Sequence, residues 1–464
     1  MKNLLSKLNM EKIITILIIV AMILLPVVEF ICSLNAKHFY YQEEIVVLLG
    51  EVSFLFLLFL ALNKGKISIY KSDILLIVLF GFALLSLIFS KDIEQSLNGG
   101  KLFYREGILV FFSYYCVALL SSRILQTNYR KLILKAFLGL ALIETFVGIF
   151  QFFGIWPYPA LLGNTVEVGE NAFGIPTWAF AFTENCNYFA ALAVIFTGLT
   201  GGAFLLSEGK KRILYFILTA FCFYGVVVTY SRLGLLGVLG FICYLFLISF
   251  IAHKQKIKKI ALAPRKIFML LSLYIAVYLL AILISPELLG STKKFATEFT
   301  VNNALATGVT ETGANAESAG GARLFIWKEG LETVPKYWYI GTGLDNYVYS
   351  FFWDNPDYTG YYQDKGHNEY IHILVTQGVF TLVTWLTLIF YNLTTATKRF
   401  FYTDNEETKL TFILIVMYGG YLCQALANSS VTNVAIYNWI ITGLLLYAAD
   451  KKPLKTFTFE QSNS

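Results

Sequence analysis

Residues 321–378 read GARLFIWKEGLETVPKYWYIGTGLDNYVYSFFWDNPDYTGYYQDKGHNEYIHILVTQG. This is the most polar and most aromatic long segment of an otherwise apolar chain. It carries Arg323, a tight Gly341-Thr342-Gly343 turn and the triplet His367-Asn368-Glu369. Long apolar runs precede it, and another begins within it at about Glu369. The segment is therefore expected to be held at a membrane surface by spans on either side.

Composition supports that frame. Of 464 residues, 57% are hydrophobic and 14% charged, where a soluble globular chain has about half and about a quarter. The excess falls into twelve runs, roughly 13–33, 44–63, 73–90, 106–122, 132–153, 185–206, 213–230, 233–252, 267–285, 369–394, 409–428 and 431–449. Each is close to the ~20 residues that carry a helix across ~30 Å of hydrocarbon. The runs lack the alternation of barrel strands, and a backbone in lipid must satisfy its own hydrogen bonds, so they are expected to be helices. The fold class is an all-α polytopic membrane protein with about twelve transmembrane helices. It forms one integral domain over 1–464, with a large outer loop, 286–368, between the ninth and tenth spans. No small-residue cleavage site follows the first span, so that helix is expected to be retained. Cys32, Cys116, Cys222, Cys243 and Cys423 lie in or beside apolar runs and Cys186 near a polar loop; without a C-x-x-C pair, neither zinc nor a disulfide framework is expected. The net charge of +6 fits basic cytoplasmic loops rather than a nucleic-acid partner.

Sidedness follows from the basic residues. With the N-terminus inside, 25 of the 36 Lys and Arg residues fall on inside segments, although the outside loops are longer. Every inside loop is basic, so both termini are expected to be cytoplasmic. Four polar features then share the outer face: Tyr104 to Gly107, Thr183 to Tyr188, Thr229 to Arg232, and the 286–366 loop. Within that loop, residues 291–321 are rich in Thr, Ala, Asn, Gly and Glu and are expected to be flexible. From Ala322 the pattern ARLFIWKEGLETV suits a short amphipathic helix that Pro335 limits. In it Arg323, Trp327 and Gly330 share a face. The aromatic run from Tyr347 to Tyr362 suits an interface or a sugar-stacking surface.

Several residues are candidates for chemistry. Arg232 stands between two apolar spans, where a charge is costly. Its planar fork of donors matches a diphosphate; the alternative is an arginine that snorkels from a helix end. Arg323 is a second diphosphate ligand or an exposed loop charge. Arg105 is a third cation or an interfacial anchor. His367 can take a proton near neutral pH and so activate a hydroxyl, or it caps a helix. His372 is expected to pack or hydrogen-bond inside the membrane. His367, Glu369 and His372 do not form H-E-x-x-H, and Asp354, Asp357 and Asp364 read as solvated acids, so no metal is expected. Glu29, Glu51 and Glu144 lie within spans; they form a proton path or cap polar pockets, and the second reading is favoured because no basic partner shares their spans. Twelve spans with buried acids also fit a flippase for lipid-linked oligosaccharides, but a transporter does not explain the long outer polar loop.

Together these pieces resemble the O-antigen ligase and O-antigen polymerase family. The carriers are Arg105-Glu106-Gly107, Asn185-Cys186-Asn187-Tyr188, Tyr230-Ser231-Arg232-Leu233-Gly234, Arg323 with Trp327, Gly341-Thr342-Gly343-Leu344-Asp345-Asn346, and Gly366-His367-Asn368-Glu369-Tyr370 leading to Gln377-Gly378. The resemblance implies a metal-independent glycosyltransferase of GT-C-like fold, without a cofactor, on the outer face of the cytoplasmic membrane. It implies an undecaprenyl diphosphate-linked glycan as donor and an acceptor glycan or a wall or lipid acceptor as partner. It implies Arg232 and Arg323 as diphosphate ligands and His367 as the residue that activates the acceptor. Beside these, Arg105 is expected as a third diphosphate ligand, and Tyr230, Asn187, Asp345 and Asn368 as substrate-binding residues. Cys186 stands where family members often have proline.

Overall fold

The structure is a computed structural model and describes residues 9–34, 41–63, 66–100, 105–153, 179–183, 185–286, 288, 319–351, 363–449 and 453–458. The expected flexible stretch up to residue 318, Asp354, Asp357 and the side chain of Glu29 lie outside the described residues. The chain begins α1 (Met10–Leu34), α2 (Tyr41–Asn63), β1 (Lys66–Ile69), α3 (Lys71–Ile88), α4 (Ile93–Asn98), α5 (Ile108–Ser122) and α6 (Thr127–Phe152). It continues α7 (Cys186–Leu206), α8 (Gly209–Val227), α9 (Arg232–Lys254), α10 (Pro264–Ile284), α11 (Ala319–Tyr337), α12 (Glu369–Tyr402), α13 (Glu406–Gln424), α14 (Thr432–Ala449) and β2 (Lys455–Thr458).

A helix occupies each of the twelve apolar runs. By length and composition, nine of the described helices can cross a membrane: α1, α2, α3, α6, α7, α9, α10, α12 and α14. The apolar α5 is shorter, at 15 residues, and α8 and α13 open on charged turns, Lys210 to Arg212 and Glu406 to Lys409. The protein is a multi-pass, mostly helical membrane protein. Helices α7 and α14 are buried on nearly every side, the mark of a helix at the centre of a bundle. Outer helices such as α2 and α10 turn Leu55, Leu62 and Leu283 outward, which suits a lipid-facing surface.

The two ends of the bundle hold different chemistry. At one end Arg123 pairs with Asp73 at 2.7 Å, and Glu11 accepts the N–H groups of Leu125 and Gln126. Arg130 donates to the Leu444 carbonyl, Arg399 to Ala448, and Lys266 to Leu205. Strands β1 and β2 pair antiparallel there, Ile67 opposite Phe457, a small sheet that the apolar runs did not foreshadow. These are the segments that the count of basic residues assigns to the inside. The other end gathers residues 90–100, 105–107, 179–183, 185–187, 229–232, 319–351, 363–369 and 425–431.

Two local departures from the expected helices shape that second end. Helix α11 runs through Pro335 to Tyr337; the proline removes one hydrogen bond within the last turn, a small loss where the helix is about to end. Helix α12 is one apolar run in sequence but breaks at Gly378, φ 82°, ψ 176°. The 341–343 turn fits into the break. Thr342 and Gly343 donate to the carbonyls of Val375 and Thr376, both at 2.9 Å, and Val379 donates to Trp338 at 2.7 Å. Ser86 on α3 also donates to Thr376. Irregular backbone at membrane depth is tolerated when protein satisfies it in this way. A side chain at Gly378 would place its Cβ 2.4 Å from the Tyr339 carbonyl oxygen, and one at Gly341 would lie 2.2 Å from Thr376, so neither site accepts one.

Candidate active site

His367 lies at the start of α12, where Asn368 caps the helix by accepting the Ile371 N–H through Oδ1 at 3.0 Å. Its own backbone is left-handed, φ 44°, and its N–H donates to Ser429 Oγ at 2.9 Å. Helix α11 is tied to the same segment: Trp327 Nε1 donates to the Gly366 carbonyl at 3.0 Å, and Tyr347 OH donates to the Ile326 carbonyl. Arg323 is one helical turn before Trp327, and its charge acts on both His367 and Cys186 at the start of α7. Burial pushes the His367 imidazole down to about 4, and the positive charges of Arg323 and Lys365 add to the shift. At neutral pH His367 is therefore uncharged, with a lone pair free to accept a proton.

Arg232 opens α9 directly after Tyr230, φ 55°, and the cap residue Ser231. It lines a groove of about 190 Å³ together with Tyr230, Leu235, Leu236, Leu239, Tyr278 and Leu288. Tyr230 OH meets Ser285 Oγ at 2.7 Å. A run of hydrogen bonds joins this turn to His367. Ser231 Oγ donates to Asn187 Oδ1 at 2.8 Å. Asn428 Nδ2 donates to the Asn187 carbonyl at 3.1 Å, Ser429 N–H to Asn428 Oδ1 at 3.0 Å, and His367 N–H to Ser429 Oγ. Segments near positions 187, 231, 367 and 428 are thus locked into one unit.

Behind His367 lies a buried ionic cluster. Asp345, φ 57° and 1% exposed, meets Lys365 Nζ through Oδ1 at 2.6 Å and accepts the Gly100 and Glu106 N–H groups through Oδ2. Lys365, 3% exposed, also meets Glu106 Oε2 at 3.0 Å. Glu106 Oε1 accepts from Tyr114 OH and Ser430 Oγ. Burial alone would push the Lys365 ammonium down, but Asp345 and Glu106 reverse this and hold it well above the usual lysine range. Burial likewise opposes ionisation of Asp345, and Lys365 and His372 outweigh it, so its carboxyl is depressed. His372 Nδ1 accepts the Gly366 N–H, its Nε2 lies 3.9 Å from Asp345, and its ring stacks on Tyr347 at 5.6 Å. Three of the five left-handed non-glycine residues among those described are Tyr230, Asp345 and His367. Such backbone costs about 1–3 kcal/mol each and concentrates at functional sites.

The structure thus brings Arg323, His367 and Asn368 together and connects Tyr230, Arg232 and Asn187 to them. Asp345 stands one layer deeper, in the ionic cluster. Arg105 is placed against α2, where its N–H donates to Glu43 Oε1 at 2.6 Å and its charge acts on that carboxylate. Glu144 accepts the Phe182 N–H, and Gln151 on the same helix holds Phe180 and Ala181; both shape the 179–183 turn, in line with the pocket-capping role. Glu51 is exposed on α2 beside Glu43 and Glu44. No group of three metal-ligating side chains occurs among the described residues. Sequence reasoning passed over Lys365, which reads as one more loop lysine. It also passed over Asn428-Ser429-Ser430, which reads as a gap between two spans; its three adjacent polar residues were the available signal.

Residues 217–386 match the family model described as O-antigen ligase. Over that segment the chain is similar to the O-antigen ligase/polymerase family. That segment runs from within α8 through Arg232, Arg323, Asp345 and His367 to beyond the break in α12, so it contains most of the assembled site. No curated protein matches the chain. The match supports an O-antigen ligase/polymerase-type enzyme of surface polysaccharide synthesis.

Proposed function

We propose that this protein transfers a glycan from an undecaprenyl diphosphate carrier to an acceptor glycan, or to a wall or lipid acceptor. The reaction takes place at the extracytoplasmic face of the cytoplasmic membrane, on a GT-C-like scaffold of twelve spans, and uses no metal. The observation that carries this reading is the hydrogen-bonded run from Ser231 through Asn187, Asn428 and Ser429 to His367. It joins the turn of Arg232 to the turn of His367, on which Arg323 acts.

The apolar groove that Arg232 lines suits a polyprenyl chain entering from the bilayer, with its diphosphate at the guanidinium. Arg323 supplies a second positive charge from the opposite segment. In the reaction an acceptor hydroxyl oxygen attacks the anomeric carbon, the bond from that carbon to the carrier phosphate oxygen breaks, and its electron pair leaves on the diphosphate. Fixed guanidinium groups stabilise the charge that grows there. His367 receives the hydroxyl proton. A diphosphate beside Arg323 would offset the positive charge that holds His367 down, so donor binding strengthens the base when it is needed. Arg105, set beside Glu43, is a third, more distant cation.

The test is transfer from carrier-linked glycan in proteoliposomes. Arg232→Ala, Arg323→Ala and His367→Ala are each expected to remain folded and lose transfer, with His367→Ala falling by about 10²–10⁴-fold. Wild-type transfer by all three would contradict the assignment. Passage of carrier-linked glycan across the bilayer without its consumption would instead favour a transporter.

A further inference from the structure

We propose that Lys365, clamped between Asp345 and Glu106, is a positioning residue for glycan transfer that fixes the Gly366–His367 backbone on which acceptor and donor meet. This rests on the reading of His367 as the proton acceptor. Lys365 is two residues before His367, and its ammonium is 2.6 Å from Asp345 and 3.0 Å from Glu106. Each carboxylate ties it to a different part of the fold. Asp345 belongs to the turn seated in the break of α12, and its backbone carbonyl accepts Gln95 Nε2 at 2.7 Å. Glu106 opens α5 and is bonded to Ser430, the neighbour of Ser429, which holds the His367 N–H. The left-handed His367 is therefore gripped from two directions: through its own N–H, and through the lysine two residues earlier.

A lysine with buried carboxylates on two sides has few reasons to be so placed unless its segment must not move. Moving the 363–368 segment would pull Lys365 from its carboxylates and leave buried charges uncompensated, so the clamp resists that displacement. Lys365 also affects the charge balance at His367. The charged and titratable groups around that imidazole are Arg323 from α11 and Lys365, Glu369 and His372 from its own segment and helix, while the 428–430 loop offers neutral Asn428, Ser429 and Ser430. Arg323 and Lys365 both disfavour the imidazolium, and Asp345 and Glu106 lie behind the lysine.

The experiment compares Lys365→Met and Lys365→Arg in the full chain, reconstituted with carrier-linked glycan, alongside wild type and His367→Ala. Lys365→Met is expected to lower kcat by at least tenfold, leave KM for the carrier substrate within about threefold, and move the acid limb of the pH–rate profile to higher pH. Lys365→Arg, which keeps the charge, is expected to leave the acid limb in place. A loss of rate with an unmoved acid limb would reduce Lys365 to a structural residue and overturn the proposal, as would wild-type kcat in Lys365→Met. If Lys365→Met does not fold, the neutral set Glu106→Gln, Lys365→Met and Asp345→Asn removes the unpaired buried charges. It is judged by kcat and KM: loosening the clamped segment is expected to lower kcat by at least tenfold with KM for the carrier substrate within about threefold, and wild-type kcat overturns the proposal. His367→Ala separates the two levels: if it transfers at the wild-type rate, the reading of His367 itself fails, whereas an inactive His367→Ala beside an unaffected Lys365→Met leaves that reading standing and removes only the clamp.

Discussion

At the scale of single residues, the site depends on how burial and fixed charge set proton affinities. His367 is held at about 4, first by burial and then by Arg323 and Lys365, so it is neutral over the physiological range. A base acts in its unprotonated form, so the free enzyme should keep its kcat/KM nearly constant from pH 7 down to about 5 and lose it only as pH falls towards 4. An acid limb near the ordinary histidine value of about 6.5 would contradict this. Linkage gives the corresponding effect on stability. The unfolded chain binds a proton at this histidine below about 6.5 and the folded chain does not until about 4, so folding stability contributed by this residue falls as pH drops through that window. His367→Gln should flatten that part of the thermal unfolding profile. The sequence made Arg323 and His367 visible as candidates, because a basic residue and an imidazole in an outer polar loop have chemistry of their own. Lys365 was not legible: a lysine becomes informative only when two carboxylates, about 20 and 260 positions away in the chain, are seen to meet it.

At the scale of elements, the helices were largely legible and their interruptions were not. Apolar runs of about twenty residues identify helices because lipid leaves the backbone no other partner. The break at Gly378 lies inside one such run, and it exists only because the 341–343 turn supplies donors to Val375 and Thr376. No local pattern reveals a partner 33 residues upstream. Gly378→Ala should lower stability by at least about 2 kcal/mol, since it combines a left-handed backbone with a Cβ 2.4 Å from the Tyr339 carbonyl oxygen; an unchanged thermal midpoint would show that the turn is not seated there. The 428–430 loop offers a second test. Asn428 bridges Asn187 and Ser429, so Asn428→Ala should slow transfer by about tenfold or more at near-normal expression and stability. Full activity would show that the two turns do not depend on that bridge.

At the scale of the whole molecule, the two ends of the bundle separate basic structural contacts from the assembled site. Counting lysines and arginines anticipated that separation, because the loops it assigned to one side meet one another through Arg123–Asp73, Arg130–Leu444 and the β1–β2 pair. Reporter fusions at residues 1 and 464 should both be active inside the cell, and a reporter placed between positions 291 and 318 only outside it; any other pattern would invert the site relative to its substrate. The claim on which the account depends is convergence: Arg232, Arg323 and His367, far apart in the chain, serve one diphosphate and one acceptor. The most direct measurement is an experimental structure of the protein with undecaprenyl diphosphate bound. The account predicts the polyprenyl chain in the groove of Leu235, Leu236 and Leu239, with the diphosphate oxygens within hydrogen-bonding distance of both Arg232 and Arg323 and beside His367. A diphosphate bound at the opposite end of the bundle, or touching neither arginine, would contradict it.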